Sequence, residues 1–325
     1  MYVLKSKNPL MSDRPLMYIF VYLMAKKFGI EATVKAMPVI CSLTFAISSY
    51  ILFRKMFKEK WIHIVGTYLS ICSTTTTIGL FGGLYTNWLA WAVSLVMLAC
   101  CFSRGKVALL SAPISLLLMG IHPYHWIVVQ TTIAMYCIIT TLLFLKSKDK
   151  AYIFENTGFY TSCISIAVGL AIYLLKLHVN PLAGLLNGYL RYYFSLIENP
   201  FKLFNNYWWE RVSKETYNYG MAGYYNATIL TLGAISGLMT SLKEKTHRLT
   251  FSWLAVLSAL FLVPIGVEPW GQQWRVLYEI PIGLLATRGL VRITKLPRVS
   301  SILSIAIILQ QISYTLRYIM LLCRS

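Results

Sequence analysis

Long apolar spans alternate with short polar loops along this chain, and the basic residues fall in every second loop. Apolar spans lie at about 34–53, 61–80, 84–102, 107–121, 126–145, 158–175, 221–241, 249–267, 276–291 and 300–320. The odd-numbered spans are followed by Arg54, Lys55, Lys58 and Lys60, by Arg104 and Lys106, by Lys146, Lys148 and Lys150, by Lys243, Lys245 and Arg248, and by Arg292, Lys295 and Arg298. Lys and Arg in short loops mark the cytoplasmic side of a membrane protein. The pattern predicts a multi-pass plasma-membrane protein with its basic loops in the cytoplasm.

The predicted fold class is all-α, a polytopic transmembrane bundle of about ten spans with additional interfacial helices. The chain is 57% hydrophobic and 13% charged, with a mean hydropathy of +0.62. A helix needs ~20 residues to cross the bilayer, whereas a barrel strand needs only ~10. The net charge of +19 lies mostly in the loops that set the orientation. We therefore expect no nucleic-acid partner.

Four regions follow from the spans. Residues 1–33 form an outer-face loop with a short interfacial helix at Pro15–Ala25, whose apolar face would include Leu16, Ile19, Phe20 and Leu23. Residues 34–175 carry spans one to six, and residues 221–325 carry spans seven to ten. Residues 176–220 are predicted to lie on the outer membrane surface. Their aromatic residues fit either an interfacial belt or a cap over a lipid-substrate groove.

Neither the cysteines nor the histidines predict a metal or a cofactor. All seven cysteines lie in or beside apolar spans and no CxxC occurs, so we expect packing residues without disulfides. His122 and His125 flank a Pro-Tyr pair, and two histidines alone give no third ligand. No cofactor is expected, and a divalent metal is not indicated.

The unusual polar residues fall on the predicted outer side. Charge at membrane depth is costly and suggests a functional site. The set consists of Asp13, Arg14, His122, Tyr124, His125, Glu268, Arg275 and Glu279. Two simpler interpretations stay open. Arg275 and Glu279 would form an ion pair if that segment is helical, and the histidines would be interfacial hydrogen-bonding groups.

These residue types suit transfer from a lipid-phosphate donor. A carboxylate at the membrane surface can act as a base toward an acceptor hydroxyl. A guanidinium can hold a phosphate through two parallel hydrogen bonds. An aromatic-rimmed groove can hold a polyprenyl chain or a sugar.

The stretch NPLMSDRPLMYIFVYLMAKKFGIEATVKAMPVICSL resembles the first outer loop and following helices of GT-C type membrane glycosyltransferases. This archaeal and bacterial group includes mannosyltransferase and aminoarabinose-transferase relatives. The resemblance rests on the run Asp13, Arg14, Pro15 and Leu16. GLYTNWLAWAVSL, with Asn87, resembles the asparagine-bearing third helix of the family. LLMGIHPYHW and QQWRVLYEIPIGLLATRGL resemble later outer-face segments.

The resemblance implies a glycosyltransferase that uses a polyprenyl-phosphate sugar at the outer face, with membrane lipid as its surroundings. Asp13 would be the catalytic base, and Arg275 would hold the donor phosphate. The other implied substrate-binding residues are Arg14, Asn87, His122, Tyr124, His125, Glu268 and Glu279.

One departure from the family concerns the N-terminus. The family has a first helix followed by an acidic residue upstream of the Asp-Arg-Pro position, but no Asp or Glu precedes Asp13 here. We expect that an inside-to-outside helix belongs before Met1; the alternative is unaided translocation of the first segment. Two other functions stay open: a transporter or flippase for lipid-linked saccharides, and a non-catalytic or truncated membrane protein of the same fold.

Overall fold

The computed structural model describes residues 14–71, 85–179, 242, 244–262, 279–294 and 309, with side chains up to 172, 259 and 292 in the later ranges. Helices dominate these residues, and no strand occurs among them. The predicted all-α class is therefore confirmed for this part of the chain. In chain order the helices are α1 Pro15–Phe28, α2 Ile30–Met56, α3 Lys60–Ile71, α4 Tyr85–Cys101, α5 Lys106–Leu109, α6 Ser111–Ile121, α7 Pro123–Ser147, α8 Ala151–Phe154, α9 Thr157–Val179, α10 Lys245–Leu262 and α11 Ile282–Thr294.

Most helices occupy the predicted spans, but some boundaries differ. The fourth span is split at Leu110 into the short α5 and the longer α6. In the described part of the ninth span, α11 begins at Ile282, directly after Pro281, and residues 276–278 lie outside the described residues. Helix α9 continues to Val179, four residues into the predicted 176–220 segment. The seventh span, most of the tenth and residues 180–220 lie outside the described residues.

The helices form a continuous series of neighbours. α2 packs against α1, α3 and α4, and α4 packs against α6. α6 contacts α7 and α9, α10 lies on α7, and α11 lies on α3. The bundle interior contains large aromatic side chains, among them Trp91 stacked on Trp253 with ring centres 5.5 Å apart. This stack joins α4 to α10 across about 160 residues of sequence.

Glycines set two of the closest helix contacts. A methyl group added to Gly283 of α11 would lie 2.7 Å from Ser70 Cα in α3. A methyl group added to Gly158 of α9 would lie 2.7 Å from Cys101 Cα and 2.9 Å from the Cys100 and Cys101 carbonyl oxygens. Small residues at such positions let helix backbones approach closely.

A buried polar cluster links α6, α7 and α9. Gln130 Nε2 donates to Ser115 Oγ and, at 3.1 Å, to Ser162 Oγ. Trp126 Nε1 donates to Ser115 Oγ at 2.9 Å, and Ser165 Oγ donates to it at 2.7 Å. Hydrogen bonds of this kind fix the rotation of each helix, since a buried polar group without a partner is costly.

Apolar side chains line the outside of the bundle. On α2 the exposed positions are Val34, Val39, Leu43 and Ile47, each more than half exposed, whereas Ser48 and Ser49 are buried. Ile138 and Leu142 of α7 are likewise 56% and 60% exposed. Within the described part, α2 and α7 are long and apolar enough to cross a membrane.

Helix α1 extends to Phe28, three residues beyond the predicted Ala25. Met17, Phe20 and Val21 form the face that packs on the bundle, since they follow the i, i+3, i+4 spacing of one helical face. Leu23, on the predicted interfacial face, is 57% exposed. The interfacial position of α1 stays a prediction.

The loops that carry the basic residues meet at one end of the bundle, which we call the basic end. Arg104 and Lys245 both pair with Glu155, at 2.7 and 3.5 Å. Lys58 lines a cavity together with Glu244 and Arg292. These contacts connect the ends of α2, α4, α10 and α11, as expected for helices that run alternately up and down.

Candidate functional site

A buried histidine–carboxylate pair lies at the junction of α7 and the segment before α11. His125 Nδ1 hydrogen bonds to Glu279 Oε2. The two side chains are only 1% and 2% exposed. His125 occupies the first turn of α7, and Glu279 precedes Pro281. The pair therefore joins two segments 154 residues apart in sequence.

Aromatic rings and a serine enclose this pair. The ring centres of His125 and Trp91 are 4.7 Å apart, and Trp253 stacks on Trp91 with ring centres 5.5 Å apart. Trp253 Nε1 donates to the Glu279 carbonyl oxygen at 2.9 Å. Ser94 Oγ lies 3.2 Å from His125 Nε2. We call these five residues, together with His122, the histidine site.

The Ser94 hydroxyl leaves an acceptor for His125 Nε2. Ser94 Oγ donates to the Trp91 carbonyl oxygen at 2.8 Å, so its lone pairs remain to accept from His125 Nε2. A histidine protonated on both nitrogens would then donate to Glu279 and to Ser94. Such an arrangement forms a neutral ion pair, which is how buried charges are accommodated.

His122 closes the start of α7. Its Nδ1 accepts a hydrogen bond from the His125 backbone N–H at 3.0 Å, so His122 acts as the N-cap, with Pro123 at the first helical position. Its ring lies edge-on to His125 and to Tyr124, with centres 6.3 and 6.5 Å apart. His122 is 3% exposed, whereas Tyr124 is partly exposed.

Arg14 and Asn87 are the other described members of the predicted site. Leu16 lies against Gly120, so the start of α1, with Arg14, is close to the α6–α7 junction. Asn87 lies two helical turns before Ser94 on the same face of α4, about 10 Å along its axis. Both side chains are partly exposed. The structure thus places Arg14 and Asn87 on elements that contribute to this region.

Three predicted site residues, Asp13, Glu268 and Arg275, lie outside the described residues. The prediction that Asp13 and Arg275 line one cavity stays a prediction. The alternative of an Arg275–Glu279 ion pair also stays a prediction, because Arg275 is not among the described residues. Glu279 is paired with His125.

The sequence interpretation missed Ser94, Trp91 and Trp253. Asn87, Trp91 and Ser94 follow the spacing i, i+4, i+7, which places them on one helical face. That spacing was available in the sequence, but nothing local connects it with α7. The contact of Trp253 depends on long-range packing.

Within the part of the chain that the structure describes, no group of three His, Cys, Asp or Glu side chains could hold a metal ion. His122 Nδ1 already accepts from the His125 backbone. Comparisons with protein-family models, with curated proteins and with solved structures found no match. Any assignment therefore depends on the residues and their geometry.

Proposed function

We propose that this protein is a membrane glycosyltransferase of GT-C type that transfers a sugar from a polyprenyl-phosphate donor at the outer face. The observation that carries the proposal is the clustering of His122, Tyr124, His125 and Glu279 at one junction. All four were selected from the sequence as members of the outer polar set. Asn87 lies on α4, which contributes Trp91 and Ser94, and Arg14 precedes α1, whose Leu16 lies against Gly120 before the start of α7.

The membrane placement is part of the same proposal. We infer a multi-pass bundle with the basic end in the cytoplasm and the histidine site toward the outer side. The exposed apolar surfaces of α2 and α7 support burial in lipid, because large contiguous apolar surfaces are unusual on soluble monomers. The meeting of the basic loops at one end supports a common side for them.

In the proposed reaction, an acceptor hydroxyl oxygen attacks the anomeric carbon of the donor sugar. The bond from this carbon to the phosphate oxygen breaks, and polyprenyl phosphate leaves with the electron pair. Asp13 takes the hydroxyl proton, and Arg275 holds the phosphate. The attack inverts the configuration at the anomeric carbon.

His125 and Glu279 act as positioning residues in this scheme. They are too deeply buried to contact a substrate in the described conformation. Their hydrogen bond holds the start of α7 against the segment that precedes α11. It thereby fixes Tyr124 on one side and the segment from Glu279 to Pro281 on the other.

The test is a transfer assay with purified full-length chain in lipid nanodiscs and a panel of radiolabelled polyprenyl-phosphate sugars. Asp13→Asn should abolish transfer, and Arg275→Lys should weaken donor use. Asp149→Asn and Arg104→Lys make the same chemical changes at exposed positions of the basic end and should leave transfer intact. Full transfer by Asp13→Asn, or no transfer by the wild type from any donor, would contradict the proposal.

A second function, transport of lipid-linked saccharides, is favoured by one observation. His125 and Glu279 are ionisable groups buried inside the bundle, and such pairs serve as proton relays in transporters. The two functions differ in their products. A transporter would move labelled donor across a vesicle membrane without cleaving its sugar–phosphate bond.

A further inference from the structure

Two adjoining cavities open at the basic end, on the opposite side of the bundle from the histidine site. The first, of about 730 Å³, is lined by Lys58, Arg288, Arg292 and His247 together with Glu59 and Glu244. The second, of about 800 Å³, is lined by Arg54, Lys55, Lys58, Lys60 and apolar residues. Met56, Phe57 and Lys58 line both, so the cavities share a wall. Six lysines and arginines face two glutamates in the pair.

Arg288 gives the first cavity a buried cationic wall. Its side chain is 7% exposed, and its guanidinium donates to Thr250 Oγ1. None of the ion pairs among the described residues includes Arg288. Glu244 lines the same cavity and attracts Arg288, but its carboxylate pairs with His247 at 3.3 Å. A buried guanidinium normally has an anionic partner, because an unpaired charge is costly to desolvate. The cavity beside it offers the space for one.

The second cavity adds exposed cations beside an apolar surface. Arg54, Lys55, Lys58 and Lys60 are all exposed, and no ion pair involves them in the described part of the chain. Tyr50 and Ile64, which line this cavity, are 41% and 67% exposed. An anion held here would lie next to an outward apolar surface. This combination fits a phosphate attached to acyl chains better than a free phosphate.

We propose that the joined cavities bind the headgroup of an anionic phospholipid. Its phosphate lies between Arg288 and Lys58, and its acyl chains lie along the apolar surface near Tyr50 and Ile64. Arg288 supplies the planar fork that matches phosphate oxygens, and the lysines act as point charges. Lysines and arginines in loops also set the orientation of a membrane protein without binding any ligand. Arg288 is buried rather than in a loop, and its position therefore indicates a binding site. The cytoplasmic position of this lipid site rests on the proposed membrane orientation.

The experiment uses the purified full chain in neutral detergent. Dioleoyl phosphatidylglycerol, dioleoyl phosphatidylcholine and inorganic phosphate are titrated separately, and binding is followed by the rise in Tm. Phosphatidylglycerol should raise Tm saturably, whereas phosphatidylcholine should not. Lys58→Gln should weaken the apparent Kd about fivefold, as expected for one cation near an anionic headgroup.

Arg288→Gln should weaken lipid binding roughly tenfold or more, because a charge-assisted double hydrogen bond is lost. Arg288→Lys keeps the charge and should recover only part of this loss. Lys106→Gln removes an exposed lysine that lines neither cavity and should change the Kd less than about twofold. If Arg288→Gln does not fold, Lys58→Gln against Lys106→Gln decides the question.

Equal losses in Lys58→Gln and Lys106→Gln would overturn the proposal, because they would show diffuse attraction to the whole basic end. Saturation by inorganic phosphate at the same concentrations as phosphatidylglycerol would overturn the lipid as ligand. A reporter fused next to Lys58 tests the orientation separately. An outside reporter with lipid binding intact would contradict the proposed membrane orientation and leave the lipid site standing.

Discussion

Removing one partner of the buried His125–Glu279 pair should destabilise the protein strongly. We choose Glu279→Leu, because leucine has a similar volume and leaves no carboxylate. The change leaves His125 without its Nδ1 partner beneath the Trp91 ring. A buried polar group without a partner has given up its hydrogen bonds to water and has no protein hydrogen bond in their place.

The magnitude follows from the burial of the two side chains. Because they are 1% and 2% exposed, solvent does not screen their interaction. Breaking a buried pair typically costs about 3 to 5 kcal/mol. We expect a loss of that size in the free energy of unfolding for Glu279→Leu.

Equilibrium unfolding in detergent micelles, followed by tryptophan fluorescence, measures this loss, since Trp91 and Trp253 flank the pair. Glu31→Leu is the matched control. Its carboxylate is 83% exposed and pairs with the 75% exposed Lys35, so the loss should stay below about 1 kcal/mol.

A double variant, His125→Leu with Glu279→Leu, should be more stable than either single variant, because it leaves no buried polar group unpaired. Two results would refute the reasoning. One is a loss below about 1 kcal/mol for Glu279→Leu. The other is strict additivity of the two single changes.

Three further predictions concern the rest of the bundle, each measured by unfolding in detergent. Gly158→Ala should lower the free energy of unfolding by about 1 to 3 kcal/mol, because the new methyl group meets the backbone of Cys101. Gly120→Ala should lower it less, because there the methyl group meets only the flexible side chain of Leu16. Equal losses would contradict this. Arg248→Lys should lower the free energy of unfolding by about 1 to 2 kcal/mol. The Arg248 guanidinium lies over two tyrosine rings, 5.3 and 5.4 Å from their centres, and donates to a backbone carbonyl oxygen at 3.0 Å. An unchanged Tm would contradict this expectation. Burial lowers the pKa of Lys245 below its ordinary value of 10.5, although the neighbouring Glu155 carboxylate opposes this shift. At a pH just below 10.5, the folded state therefore binds fewer protons than the unfolded state. Wild type should therefore gain stability relative to Lys245→Met as the pH rises toward 10.5, and a falling difference would contradict the sign.

Elements with a strong apolar pattern were predictable from the sequence. The predicted 84–102 and 158–175 spans correspond to α4 and α9, because a long run of apolar residues has few alternatives to a helix. The break at Leu110 was not predicted. Hydropathy does not change there, so a window of apolar residues does not distinguish one helix from two.

The candidate site was predictable only in part. His122, His125 and Glu279 were selected because polar residues are rare beside apolar spans. Their direct pairing was not predicted, since the partner of Glu279 lies 154 residues away and depends on how α7 meets the α11 segment. The proximity of Arg275 in sequence points instead to a local ion pair with Glu279.

The long sequence separation of the pairs made by α7 has a consequence for biosynthesis. Two buried side chains of this helix receive their partners from much later parts of the chain: His125 from Glu279 and Tyr136 from Arg248. At a translation rate of about 5 to 20 residues per second, Glu279 emerges roughly 8 to 30 s after His125. During that interval α7 is complete as a helix but incomplete in its polar contacts. We therefore expect nascent chains that end before residue 248 to remain associated with the insertion machinery longer than full-length chains do.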